Sequence, residues 1–222
     1  MICLISKSMF HNGASNAAKR KKVFDKIKSS TSYVSASYSS FGYDYFDSNH
    51  ISRGYMGYKY DGRFAEESAL AIKNYQVSNV LEIGCAKGFL LYEFFKLGCS
   101  VIGVDISDYA RQHAPCEIKD HIYEDIDQVP VEIRPSIDFV ILKDVLPHLT
   151  LHQVNFLLNF LQTNFSAIRY VYIELFSAEN SVEADSLMTW DPTNQICKPV
   201  EGWIEILSQF NFRYFCNFKS II

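Results

Sequence analysis

The stretch Val80-Leu81-Glu82-Ile83-Gly84-Cys85-Ala86-Lys87-Gly88-Phe89-Leu90-Leu91 decides the fold class. Residues 79–83 form an apolar run short enough for a buried strand. Residues 84–88 are small or turn-forming, and residues 89–96 return to a helical pattern with Gly98 placed as its C-terminal cap. Strand, tight turn and helix in this order open a βαβ unit. The rhythm continues outward. Residues 100–104 read as a second strand ending in Asp105, 121–123 as a short third, 138–142 as a fourth followed by a helix over 151–160, and 170–175 as a fifth. A helix over 200–209 and a strand over 212–218 complete the series. Strands alternating with helices predict an α/β domain with a doubly wound, mostly parallel sheet flanked by helices.

The rest of the chain reads differently. Residues 1–40 are rich in Ser, Lys and Asn, and the run Lys19-Arg20-Lys21-Lys22 lies within a stretch, 17–27, able to form a short amphipathic helix. We read the run as a solvated helix face. Residues 41–64, FGYDYFDSNHISRGYMGYKYDGRF, alternate turn formers with aromatic rings, which is loop chemistry. A helix over 65–75 follows, opened by acidic residues. The expected division is a helical and loop cap over 1–64 and a catalytic domain over 65–222.

Bulk composition narrows the function. The 222 residues carry a formal net charge of −4, which argues against a nucleic-acid partner. Six cysteines stand without a CxxC pair, so neither a zinc site nor a disulfide framework is expected, and a cytoplasmic protein with reduced thiols is. No apolar run approaches the length of a membrane span.

In doubly wound sheets ligands bind beyond the C-terminal ends of the strands, where the strand order reverses. Gly84 and Gly88 let backbone approach a ligand there, and Asp105, at the tip of the next strand, is placed to accept ribose hydroxyls. The glycines do not follow the GxGxxG spacing of a dinucleotide site. Glu82, two residues before the first of them, would repel a pyrophosphate but attract an ammonium or sulfonium cation. The ligand that fits is S-adenosylmethionine.

VLEIGCAKGFLL resembles motif I of the class I S-adenosylmethionine-dependent methyltransferases, whose fold is Rossmann-like. GVDIS is similar to their second motif, Glu124-Asp125-Ile126 to the acidic motif, and DFVILKDVLPHL to the fourth-strand motif. The resemblance covers roughly residues 78–218. It implies that Glu82, Gly84, Cys85 and Gly88 lie around the methionine end, Asp105 holds the ribose, Ile106 packs on the adenine, Asp125 accepts from the adenine amino group and Lys143 lines the pocket. Ala86 departs from the pattern, where many members have Gly. GYMGYKYDGRF and LMTWDPTNQICKPVEGWIEIL resemble a narrower group, methyltransferases of polysaccharide and lipopolysaccharide biosynthesis clusters, which implies a sugar or glycan hydroxyl as acceptor. A final antiparallel strand is usual in this fold, yet the chain stops at Ile222, so a missing or supplied last strand is expected. An open edge of that kind is a route to a homodimer.

Transfer to a hydroxyl is helped by a general base. His148 is the first candidate, against the alternative that it anchors the following helix; Asp144, Glu174 and Asp191 are others. Asp144 and Glu174 are also the groups that could bind Mg²⁺, but no dense carboxylate cluster is evident and no metal is expected. In the N-terminal loop, Tyr60 and Arg63 (with Tyr55 and Tyr58) are candidates to shield the sulfonium and grip the cofactor's carboxylate; the alternative is rings packed on the core. N-methylation of an amino sugar or small amine, and a non-catalytic cofactor-binding module of a larger assembly, are the competing functions.

Overall fold

The computed structural model describes residues 2–5, 41–48, 55 and 57–220. The expected helix over 17–27 and its basic run lie outside these. Seven strands make one sheet: β1 Ile2–Ile5, β2 Asn79–Ile83, β3 Ser100–Val104, β4 Ile122–Tyr123, β5 Phe139–Lys143, β6 Tyr170–Phe176 and β7 Arg213–Lys219. Their spatial order is β1-β7-β6-β5-β2-β3-β4 and all the pairings are parallel. The helices are α1 Tyr43–Phe46, α2 Ala65–Tyr75, α3 Phe89–Lys96, α4 Asp108–Gln112, α5 Leu151–Asn164, α6 Ser181–Trp190 and α7 Val200–Leu207. The doubly wound α/β fold is therefore present.

The period of two along each strand divides the core. Leu81, Ile83, Val140, Leu142, Val171, Ile173 and Tyr214 pack with Leu158 of α5 and Trp203 of α7 on one face. Val80, Phe139, Ile141, Tyr172 and Phe215 pack with Ala71 of α2 and Leu91 and Phe94 of α3 on the other. The second face changes character toward the C-terminal ends of the strands. At the same parity, where apolar residues would continue, stand Glu82, Lys143, Glu174, Asn217 and Lys219. Register sets Lys143 beside Glu174, and Glu174 beside Asn217.

Among the described residues no antiparallel strand is present, and β7 pairs parallel and directly with β6. One expectation changes. The edge of β7 that was expected to be open is paired with β1. In addition, helix α6 arises where the sequence reading placed none, capped by Asn180, whose side chain accepts from the Glu183 amide at 3.0 Å. Among the described residues no helix is long and apolar enough to cross a membrane.

Candidate active site

The strand order reverses between β2 and β5, and a cleft of about 640 Å³ opens at their C-terminal ends. Gly84, Asp105, Ile106, Asp144, His148, Phe156, Trp190 and Asp191 are among the residues that line it. Phe41, Tyr45, Phe46 and Tyr55 form an aromatic wall.

The turn after β2 is built by its glycines. Gly84 has φ +71°, and a Cβ there would stand 2.9 Å from the Val145 side chain. Gly88, at φ +68°, opens α3, and a Cβ on it would meet Ile118 at 2.9 Å. Gly88 thus faces the core, not the cleft. Ala86 adopts φ 51°, a left-handed conformation that costs an L-residue about 1–2 kcal/mol. Its amide gains a partner in return, donating to Asp105 Oδ2 at 2.7 Å. The other Asp105 oxygen accepts from the Ser107 amide at 2.8 Å. Burial raises the Asp105 carboxyl, against the pull of those two amides. A carboxylate offers about four lone-pair sites, so about two remain to accept from a ligand's hydroxyls. Cys85 is 3% exposed and its thiol is pushed up by burial; the side chain packs in the core near Gly103. The neighbouring Lys87, absent from the sequence-based site, is 5% exposed and donates to Asp47 Oδ2 at 2.6 Å and to the Tyr58 carbonyl at 3.0 Å.

Beside Asp105 the cleft carries an exposed apolar residue. Ile106 is 67% exposed although it lines the cleft. Asp125 also lines it, with Oδ1 accepting from the Ile126 amide at 2.6 Å.

Glu82 is 4% exposed, and its Oε2 has no hydrogen-bond partner. Burial pushes its carboxyl up to about 8, with Asp105 adding and Lys143 opposing. It borders a smaller cavity that Arg63, Lys143 and Asp144 also line. A buried acid with an orphaned oxygen is suited to a cationic group entering from that cavity.

Asp144 and Glu174 are already paired. Lys143 Nζ lies 2.9 Å from Asp144 Oδ2 and 2.8 Å from Glu174 Oε1. Lys219 Nζ lies 2.5 Å from Asp144 Oδ1 and 3.2 Å from Glu174 Oε1. Tyr172 and Asn217 donate to Glu174 Oε2 at 2.7 and 3.0 Å. Burial alone would raise the Glu174 carboxyl, but Lys143 and Lys219 outweigh it and hold it far below the ordinary range. Among the described residues no group of three or more His, Cys, Asp or Glu is arranged to hold a metal ion.

His148 ends a short 3-10 turn, Leu146–His148, after β5 and faces the cleft. Its Nδ1 stands 2.8 Å from Thr193 Oγ1. Tyr60 does not line the cleft. Its hydroxyl donates to Glu93 at 2.5 Å and accepts from Lys96 at 2.5 Å, on the far side of α3. Arg63 holds Asp61 in a bidentate pair.

The family model described as a methyltransferase domain matches residues 53–216. The chain belongs to the methyltransferase domain family. Its reading as an S-adenosylmethionine-dependent enzyme stands on that membership. No curated protein matches it. Among solved structures it is similar to an S-adenosylmethionine-dependent methyltransferase of Archaeoglobus fulgidus, at 23% identity and TM-score 0.48, over 66% of this chain and 67% of that one. It is also similar to phosphoethanolamine N-methyltransferase 2 of Haemonchus contortus, at 18% identity and TM-score 0.48, over 84% of this chain and 44% of that one.

Proposed function

We propose that this methyltransferase acts on a hydroxyl of a sugar or glycan, with His148 as general base. The observation that carries the reading is that one cleft is lined by Asp105, Ile106, His148, Trp190 and Asp191 together. S-adenosylmethionine, when bound, supplies a methyl group activated on a sulfonium. Asp105 would hold the ribose, Ile106 and Asp125 the adenine, and Glu82 the cationic methionine end, with Arg63 within reach of the same small cavity.

Phe156, which is 60% exposed, lines the same cleft as Trp190 and Asp191. Aromatic faces beside a carboxylate suit a sugar, whose apolar C–H faces stack on rings while its hydroxyls find acceptors. His148 is placed to take the proton of the acceptor hydroxyl as its oxygen gains the methyl group. Asp144 and Glu174, each bonded to two lysines, serve this reading as supports that fix the floor of the cleft and not as bases.

Transfer of labelled methyl from S-adenosylmethionine into a panel of sugars, glycans and amines tests the proposal. Label in a sugar hydroxyl is expected, and it should be lost in His148→Ala while the cofactor still binds. Label in amines alone, undiminished in His148→Ala, would overturn the reading in favour of N-methylation. Cofactor binding with no labelled acceptor would favour a non-catalytic module.

A further inference from the structure

The segment after α6 returns to His148 across 45 residues of sequence. The Gln195 and Ile196 amides donate to the Pro147 carbonyl at 2.7 and 3.1 Å, which clamps the segment against the turn carrying His148. Within it, Asp191 Oδ1 accepts from the Thr193 amide at 3.0 Å and from the Thr193 hydroxyl at 2.5 Å. The Thr193 oxygen then lies 2.8 Å from His148 Nδ1.

The hydroxyl has one proton to donate. Two oxygens 2.5 Å apart need a proton between them, and the carboxylate can only accept. That proton therefore goes to Asp191. The lone pair of Thr193 Oγ1 faces His148, so Nδ1 must carry the hydrogen. Nε2 is left with its lone pair, and among the described residues it has no hydrogen-bond partner.

We propose that Asp191 and Thr193 are positioning residues, a carboxylate–hydroxyl–imidazole relay that holds His148 as the Nδ1–H tautomer with Nε2 free for the acceptor's proton. The inference rests on the reading of His148 as the base. When Nε2 takes the proton, the imidazolium faces the Asp191 carboxylate through the hydroxyl, and its charge is stabilised without direct contact. Asp191 is 9% exposed, which strengthens that interaction over what it would be in water.

Nitrogen-15 correlation spectra of the imidazoles read the tautomer directly on the whole chain without any acceptor. They are recorded above the ordinary histidine titration at about 6.5, with His148 assigned by its loss in His148→Ala. The wild type should show Nδ1 protonated and Nε2 bare. Thr193→Val keeps the shape and the amide bond to Asp191 but removes the hydroxyl; the Nδ1–H signature should be lost, and Thr193→Ser should restore it. A wild-type Nε2–H tautomer, or an unchanged tautomer in Thr193→Val, would overturn the relay while leaving the base reading intact. Undiminished hydroxyl methylation in His148→Ala would overturn the base reading, and the role of the relay with it.

Discussion

Lys87 and Asp47 form a nearly buried ion pair at 2.6 Å, and through it the turn after β2 is tied to the aromatic wall. The Tyr109 hydroxyl donates to the same Asp47 oxygen at 2.6 Å. The turn that borders the cleft thus also holds the aromatic segment that walls it.

Lys87→Met should break this tie. With Asp47 left uncompensated, the loss should be about 2–3 kcal/mol, below the full cost for a buried pair because Asp47 keeps some solvent contact. Hydrogen exchange should quicken over residues 42–48 and stay slow in α3. Burial would raise the Asp47 carboxyl, but the bonds from Lys87 and Tyr109 outweigh it and hold it below the ordinary 3.8. The contribution of the pair is therefore complete above pH 3.8 and is lost as pH falls below it. The gap between wild type and variant should close in that acid range. Equal exchange over residues 42–48 would show that Lys87 does not fasten the wall.

Glu82 should couple cofactor binding to proton release. A carboxyl raised to about 8 is mostly protonated at neutral pH in the free protein. A cation beside it favours the ionised form, so binding of S-adenosylmethionine at pH 7 should release up to about one proton. Calorimetry in buffers of different ionisation enthalpy measures this, and Glu82→Gln should abolish it. The same shift has a stability sign. The folded state binds the proton more tightly than the unfolded chain, so Glu82 makes stability fall as pH rises from 4.5 to about 8. Glu82→Gln should flatten that fall and leave the free protein about 2–4 kcal/mol more stable at alkaline pH, at the expense of cofactor affinity. Identical proton release in the two proteins would dismiss the idea.

Glu174→Gln should be severe. It removes the shared partner of two buried lysines, a change worth about 3–5 kcal/mol. Because Lys143 and Lys219 hold the Glu174 carboxyl far below its ordinary 4.5, this contribution persists through that range and is lost only in much stronger acid. Denaturant unfolding at pH 4 should still separate the variant from the wild type by nearly the full amount. Coinciding curves at pH 4 would show that the carboxyl is not held by the lysines.

The fold was legible because its strands are short apolar runs separated by turn formers. The expected 79–83 and 100–104 match β2 and β3 to the residue. Helix α6 was missed because its apolar residues make no continuous stripe; Ser186 and Leu187 alone are buried in it. Its signal was nonetheless present in Asn180 and Glu183, spaced as a capping pair. In the site, Glu82 and Asp105 could be found because each stands at a strand end. Lys219 and Asn217 had a comparable signature, polar residues at the inward parity of an apolar strand. Thr193 had none, because its meaning comes from a partner 45 residues away that only the fold supplies. Tyr60 and Arg63 were grouped by proximity in sequence, but the chain turns between them: one faces α3 and the other Asp61.

The aromatic wall also imposes an order on traffic through the cleft. Ser107, Tyr109 and Lys87 tie residues 41–47 to the half of the sheet that carries Asp105. Toward the other half Phe41 and His148 meet as an edge-on pair of rings, with centroids 6.2 Å apart, and Tyr55 borders a small cavity with Asp144, Phe176 and Trp190. Polar bonds fasten the wall on the Asp105 side and ring contacts on the other, so acceptor and methylated product should exchange more readily than the donor and its spent form. Turnover should be compulsory-ordered, with S-adenosylmethionine first on and S-adenosylhomocysteine last off, which product-inhibition patterns would reveal. The enzyme would then wait loaded with its methyl group for an acceptor to arrive.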